Sequence, residues 1–248
     1  QHHNRVLKQL AERAPLASVL DTVVRDVEAM DASLLCSILL LEADGKHLRH
    51  GAAPSLPAFY TRAIDGVSIG PGVGACGTAA FTAERVVVHD IASHAWWTPY
   101  RELAANADLR SCWSQPIVSV RGEVLGTFAI YRRSPSEPTA QDIELIEDEA
   151  RLVALVIEKL RSDSSLQLAA SVFSHAREGI IITDAQGHIV EVNHMFTEIT
   201  GYTHEEAVGQ NPVKLLHSGH QPEAFYAERR RILQQHGYWS GEVWNRRK

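Results

Sequence analysis

The stretch Gly179–Tyr202, GIIITDAQGHIVEVNHMFTEITGY, reads as strand, tight turn, strand and helix in close succession. Ile180, Ile181 and Ile182 form a β-branched run suited to extended backbone. Asp184 to Gly187 supplies turn residues, with Gly187 free to take a positive φ. Ile189, Val190 and Val192 make the second strand. Asn193 is a suitable N-cap for a helix that carries Met195, Phe196, Ile199 and Thr200, and Gly201 ends it.

Working outward, the chain of 248 residues is long enough for two domains of ordinary size. With 45% hydrophobic and 22% charged residues it has the balance of a globular protein. A net charge of −6 without a long block of one sign argues against a nucleic-acid face. The longest apolar runs, Leu34–Leu41 and Leu152–Ile157, fall short of the roughly 18 residues a membrane span needs. No signal-peptide pattern opens the sequence. The 3 cysteines, Cys36, Cys76 and Cys112, show no C-x-x-C spacing, so reduced thiols and a cytoplasmic location are expected, with no metal site.

Upstream, apolar residues from Val6 to Val27 recur at helical spacing with a break near Pro15. Leu34–Leu41 and His47–Ala53 form a hairpin around Ala43-Asp44-Gly45. A short helix follows over Leu56–Ile64, then the glycine-rich segment Gly66–Ala80, a strand at Val86–Val88 and a loop carrying Trp96, Trp97 and Tyr100. Arg101–Ala107 is helical, and the strands Arg110–Val120 and Val124–Arg132 flank a turn at Arg121-Gly122-Glu123. One long helix starts near Thr139. The order is an α+β plan.

Residues 4–160 resemble a GAF domain, through Gly70-Pro71-Gly72-Val73-Gly74-Ala75-Cys76-Gly77-Thr78-Ala79-Ala80, Val88-His89-Asp90-Ile91, Cys112-Trp113-Ser114-Gln115-Pro116-Ile117 and Gly126-Thr127-Phe128-Ala129. Residues from about 168 resemble a PAS domain. Thr203-His204-Glu205-Glu206, Gly209 and Asn211-Pro212 fit its short helices, Phe225–Gln235 its longer helix, and Tyr238–Lys248 its next strand. The expected organisation is a GAF domain over 1–160, with its flanking helices, a helical linker over 161–173 and a partial PAS domain over 174–248. The family would add two further strands after Lys248.

Within the long helix, Ile143, Ala150 and Ile157 fall at heptad position a, and Ile146, Val153 and Leu160 at d. This pattern predicts a dimer-forming coiled coil. A helix packed on its own GAF sheet has nearly the same period, and Leu152, Leu155 and Val156 offer a second apolar face.

The GAF resemblance implies a small-ligand pocket. Val73 would belong to its glycine-loop lid, and Cys76 and Thr78 to the short helix behind it, whose N-terminal N–H groups suit an anionic group. The loop lacks the Lys and Ser/Thr of a phosphate-binding P-loop. Trp96, Trp97 and Tyr100, with Trp113, would wall the pocket. Cys112, Ser114 and Thr127 would reach it from the strands, and His89 from the end of a strand. His89 or His94 could serve as an axial haem ligand, and the PAS resemblance admits FAD. Otherwise no cofactor is implied.

These readings converge on a sensory module. A small ligand, or the redox state of a thiol, acts in the GAF pocket, and the long helix relays the change across a homodimer. The output domain lies outside the chain. The chain resembles the sensory regions of proteins that make or break cyclic di-GMP, or of histidine kinases. Two alternatives stand beside this. One is an enzyme like free methionine sulfoxide reductase, using Cys76 and Cys112. The other is a dimerisation scaffold that binds no ligand.

Overall fold

In a computed structural model that describes residues 2–248, with side chains from Asn4 onward, the chain divides into two units, up to Asp163 and from Ser164. In the first unit the elements run α1 (His2–Ala11), α2 (Leu16–Glu28), β1 (Leu35–Leu41), β2 (His47–Ala52), α3 (Ala58–Ile64), β3 (Val67–Ser68), α4 (Gly74–Thr82) and β4 (Val86–Val88). A 3-10 turn (Ala95–Tyr100), α5 (Arg101–Asn106), β5 (Ser111–Val118) and β6 (Val124–Arg132) follow, and α6 (Ala140–His175) runs on into the second unit. The second unit adds β7 (Ile181–Thr183), β8 (Ile189–Val192), α7 (His194–Thr200), α8 (His204–Ala207), α9 (Pro212–Leu215) and α10 (Glu223–His236).

The first unit is built on one antiparallel sheet of order β3-β2-β1-β6-β5-β4. Side chains alternate across a strand, so each central strand serves two cores. Cys36 and Ile38 of β1, Trp113 and Ile117 of β5, and Phe128 and Ile130 of β6 meet α2 and α6 on one face. Leu35 and Leu39 of β1, Cys112 of β5, and Ala129 and Tyr131 of β6 meet α3, α4 and α5 on the other. β3 lies inside what the sequence presents as a glycine-rich loop; its two residues pair with His47 and Leu48.

Gly126 sits where β1 and β6 are in contact. A Cβ there would stand 2.1 Å from the Leu39 carbonyl oxygen, a backbone atom that cannot swing aside. Gly126→Ala is therefore expected to destabilise the first unit by about 3 kcal/mol, read from the urea midpoint.

The N-terminus of α6 is fastened to the sheet. Asp142 accepts from the Thr139 N–H and hydroxyl at 2.8 Å each, Thr139 Oγ1 accepts from the Asp142 N–H at 3.1 Å, and Arg132 of β6 reaches Asp142 at 3.1 Å. From there the helix lays Ile146, Ala150, Val153 and Ile157 into the core beneath the sheet, at exposures of 0–3%. These four positions of the expected dimer seam are thus occupied within the monomer. Leu160 is half-buried against the same core, and Ile143 is half-buried. The heptad period is real, but the surface that satisfies it is the chain's own sheet, because a helix on a sheet also needs one apolar stripe. Leu155, on the far side, is 58% exposed.

In the second unit, β7 and β8 pair antiparallel around the Asp184–Gly187 turn, whose Gly187 has φ +82°. Asn193 caps α7 as its sequence predicts, and Gly201 closes it with φ +81°. Thr203 and Glu206 form a reciprocal capping box on α8. A small core joins Ile189, Val192, Phe196, Ala207 and Leu216. Tyr238–Lys248 differs from expectation. It forms a single bridge, His217 to Asn245, rather than a strand. Arg246 N–H donates to Leu216 O beside that bridge and Lys248 N–H to Thr200 O, both at 2.9 Å.

Candidate functional site

Polar side chains interrupt the apolar pocket face of the three central strands. Ser37 of β1 and Ser114 of β5 both stand opposite Ala129 of β6, and Cys112 stands opposite Tyr131. Thr127 lies two residues from Ala129, on the same face. Ser37, Cys112, Ser114 and Thr127 are fully buried, and Tyr131 nearly so. Above this patch, α4 delivers Cys76 and α3 delivers Tyr60, whose ring meets Tyr131 edge-on at 6.0 Å. Tyr131 Oη lies 3.3 Å from Ser37 Oγ and 3.9 Å from Cys76 Sγ. Ser114 Oγ and Thr127 Oγ1 have no hydrogen-bond partner of ordinary geometry.

The patch sets the acidity of its members. The Cys112 thiol, the largest influence, stabilises charge on Cys76 and outweighs burial; with Ser114, Thr127 and Tyr131 adding to it, the Cys76 thiol is lowered to about 7. Cys112 moves the other way, pushed well up by burial and then by Cys76. Burial likewise pushes the phenols of Tyr60 and Tyr131 well up, so both remain protonated donors.

A cavity of about 30 Å³ opens beside Cys76, between Leu39, Tyr60 and Tyr131 below and Val73, Gly74, Trp97 and Tyr100 above. That is room for one or two waters. Its lining holds no Asp, Glu, Lys, Arg or His. The loop over it is pinned: Gly70 N–H donates to Gly77 O at 3.2 Å and Ile69 N–H to Lys46 O at 2.8 Å. Gly72, with φ +77°, lets Trp96 lie against the backbone, for a Cβ there would be 3.2 Å from the Trp96 ring.

Of the residues expected at the pocket, Val73, Cys76, Trp97 and Tyr100 line the cavity, and Cys112, Ser114 and Thr127 form the floor behind Cys76. Thr78 is buried but turns back on its own helix, donating to Gly74 O at 2.7 Å. His89 is outside: Val86 and Val88 of β4 point inward, so His89 points outward, with a side chain 56% exposed and Glu137 at 3.6 Å. Trp96 covers the loop from outside, and His94 caps the 3-10 turn by accepting from the Trp96 N–H. Neither histidine lines the cavity, so neither is placed to be an axial ligand there. Trp113 faces the α6 side, donating to Ser136 O at 3.3 Å beneath the Arg132 guanidinium. Ser37, Tyr60 and Tyr131 were not expected. The signal for Ser37 and Tyr131 is a small polar or phenolic residue at alternate positions of an otherwise apolar strand, readable only with the strand register, whereas Tyr60 is a buried aromatic of the helix α3.

Among the described residues no helix is long and apolar enough to cross a membrane. A group of Glu42, Asp44 and His47 could hold a metal ion, but His47 Nδ1 already bonds Asp44 at 2.6 Å on the surface.

The chain is 33% identical over 236 residues to a methyl sulfide methyltransferase-associated sensor of Methanosarcina acetivorans, covering 93% of the chain and 23% of that protein. It is 33% identical over 78 residues to a nitrogen fixation regulatory protein of Klebsiella oxytoca, of which it spans 16%. The chain thus spans about a quarter or less of these relatives. Among solved structures, a methyl-accepting chemotaxis protein, residues 122 to 287, superposes with a TM-score of 0.54 at 19% identity, over 64% of this chain and 96% of that one. A free methionine-R-sulfoxide reductase of Neisseria meningitidis superposes with a TM-score of 0.50 at 17% identity, over 64% and 88%. At such identity these structures share the fold alone. A GAF domain family profile matches residues 13–158, and a PAS fold profile matches residues 168–245. The chain therefore belongs to the GAF domain family and carries a PAS domain behind it, as the sensory region of a signalling protein.

Proposed function

We propose that the GAF unit senses a small uncharged ligand, or a redox change, at the polar patch beneath α4, and that α6 passes the change toward an output domain of a longer cytoplasmic protein. The observation that carries this reading is the pair of sealed hydroxyls, Ser114 Oγ and Thr127 Oγ1, with no oxygen or nitrogen partner, behind the Cys76 that lines a cavity free of Asp, Glu, Lys, Arg and His. Unpartnered buried hydroxyls are costly, and a ligand that bonds them recovers that cost. The cavity is far smaller than the roughly 300 Å³ of a typical ligand site, so binding requires α4 and the glycine loop to move outward. A ligand drives signalling only by favouring that opened state.

The partner in the relay is a second copy of the chain, meeting through the outer face of α6. Leu155 and Leu166, about three turns apart, stand exposed there. The output carried over from the family resemblance is synthesis or breakdown of cyclic di-GMP, with a histidine kinase next. The contact between Cys76 and Cys112 keeps one enzymatic reading in play, a reductase, and turnover of free methionine sulfoxide tests it directly.

A melting screen of the reduced protein against uncharged metabolites tests the sensory reading. Stabilisation by a few degrees is expected, and Val73→Trp, which fills the cavity mouth, is expected to remove it. A flat screen together with a native mass equal to that of the bare chain would point to the scaffold alternative.

A further inference from the structure

Cys76 and Cys112 come from different elements, α4 and β5, and share one core cluster: Cys112 stands opposite Tyr131 on the neighbouring strand, and the Tyr131 hydroxyl lies 3.9 Å from the Cys76 sulfur. They differ in access. Cys76 retains 9% of its surface and lines the cavity, whereas Cys112 is fully buried behind it. Around the Cys76 sulfur stand the Tyr131, Ser114 and Thr127 hydroxyls, three groups able to donate to a sulfur anion. The titratable groups facing it are Cys112 on β5, Tyr131 on β6 and, beyond Tyr131, Tyr60 on α3. None of these is a carboxylate. A cavity of about 30 Å³ admits a molecule little larger than water. The third cysteine is a natural control. Cys36 lies on the opposite face of the sheet, and burial, helped by Glu28 and Glu149, pushes its thiol well up.

We propose that Cys76 is a hydroperoxide-reactive thiol and that Cys112 resolves its oxidised form into an intramolecular Cys76–Cys112 disulfide. This rests on the sensory reading of the pocket and supplies chemistry for its redox arm. In the first step the Cys76 thiolate attacks one peroxide oxygen. An S–O bond forms, the O–O bond breaks, and hydroxide leaves, taking up the proton lost by the thiol to become water. Cys76 is then a sulfenic acid. In the second step the Cys112 sulfur attacks the Cys76 sulfur. The S–S bond forms, the S–O bond breaks, and the released hydroxide leaves as water with the Cys112 proton. Two thiols lose two electrons in all, and one hydrogen peroxide becomes two waters.

The test treats the reduced chain with equimolar hydrogen peroxide at pH 7, followed by intact mass and non-reducing peptide mapping. A loss of two hydrogens and a Cys76–Cys112 linked peptide pair are expected in the wild-type protein, with no variant needed. Cys112→Ser, or Cys112→Ala where serine is poorly accepted, is expected to accumulate a sulfenic acid on Cys76, seen as one added oxygen on the intact mass and trapped by dimedone when the oxidised protein is unfolded in its presence. Cys76→Ser removes both signals. Cys76 should react about tenfold faster than Cys36, following its larger thiolate fraction. Its rate should rise through a midpoint of about 7, below the roughly 8.5 of a free thiol. Oxidation of Cys36 as fast as Cys76, or no linked pair in protein whose circular dichroism remains native, overturns the proposal. The metabolite screen on the reduced protein is a separate readout. Ligand stabilisation without a disulfide overturns the cysteine chemistry alone, and a disulfide with a flat screen overturns the ligand arm alone.

Discussion

Ile157→Ala is expected to lower the stability of the first unit by about 3 kcal/mol, while Leu155→Ala changes it by less than about 0.5 kcal/mol. The two residues are near neighbours on α6, yet Ile157 is 1% exposed in the core beneath the sheet and Leu155 is 58% exposed. Truncating Ile157 leaves a void against the sheet-side core that includes Trp113, Phe128 and Ile130, and well-packed surroundings close such voids poorly. If the heptad residues met a second chain instead, the loss from Ile157→Ala would depend on protein concentration. The expected difference between the wild-type and variant urea midpoints does not, because a dimer formed through the outer face of α6 shifts both alike. Leu155→Ala should show the converse behaviour, a weakened dimer in sedimentation with an unaltered monomer.

Asn193→Ala is expected to destabilise the second unit by about 3 kcal/mol, leaving the first unit's transition in place. Asn193 is 2% exposed and bonds four backbone groups. Its Oδ1 accepts from Ile180 N–H at 2.8 Å and Phe196 N–H at 3.0 Å, and its Nδ2 donates to Phe173 O at 3.1 Å and Glu178 O at 2.9 Å. One amide therefore fastens the end of α6, the start of β7 and the start of α7. Alanine leaves all four groups without that partner. Asn193→Asp keeps both acceptor contacts but turns a carboxylate toward two carbonyl oxygens, so a loss of about 2 kcal/mol is expected there also. Hydrogen exchange resolved along the chain separates the units and checks both values.

The beginning of the second unit was readable residue by residue because its signals are local. The Asn193 cap, the Gly187 turn and the Gly201 stop each act within a few positions of the chain. The heptad of α6 was readable as a period but not as a partner, since a helix on its own sheet and a helix on a second helix need the same kind of apolar stripe. At the pocket, Val73 and Cys76 reach the cavity through the local glycine loop and α4, whereas the floor depends on pairing distant strands. Ser37 and Tyr131 meet only through β1 against β6. His89 and Trp113 were misplaced although strand alternation bears on both. Val86 and Val88 turn inward and so exclude His89, and Cys112 and Ser114 face the pocket and so turn Trp113 to α6. Tyr238–Lys248 has strand-like residues, but a strand needs a neighbour's ladder, and the pairing here extends no further than the bridge of Asn245 with His217.

The same strands link pocket and helix. Cys112 alternates with Trp113 on β5, and Ala129 and Tyr131 alternate with Phe128 and Ile130 on β6, so a change on the pocket face bears on the α6 face one residue away. Spatial adjacency alone does not establish coupling. Hydrogen exchange along α6, compared between the reduced protein and the protein carrying the Cys76–Cys112 disulfide, tests it most directly. The account predicts altered protection at residues 146–157 together with α4. Altered exchange confined to α4 and its loop, with α6 identical in the two states, would contradict it.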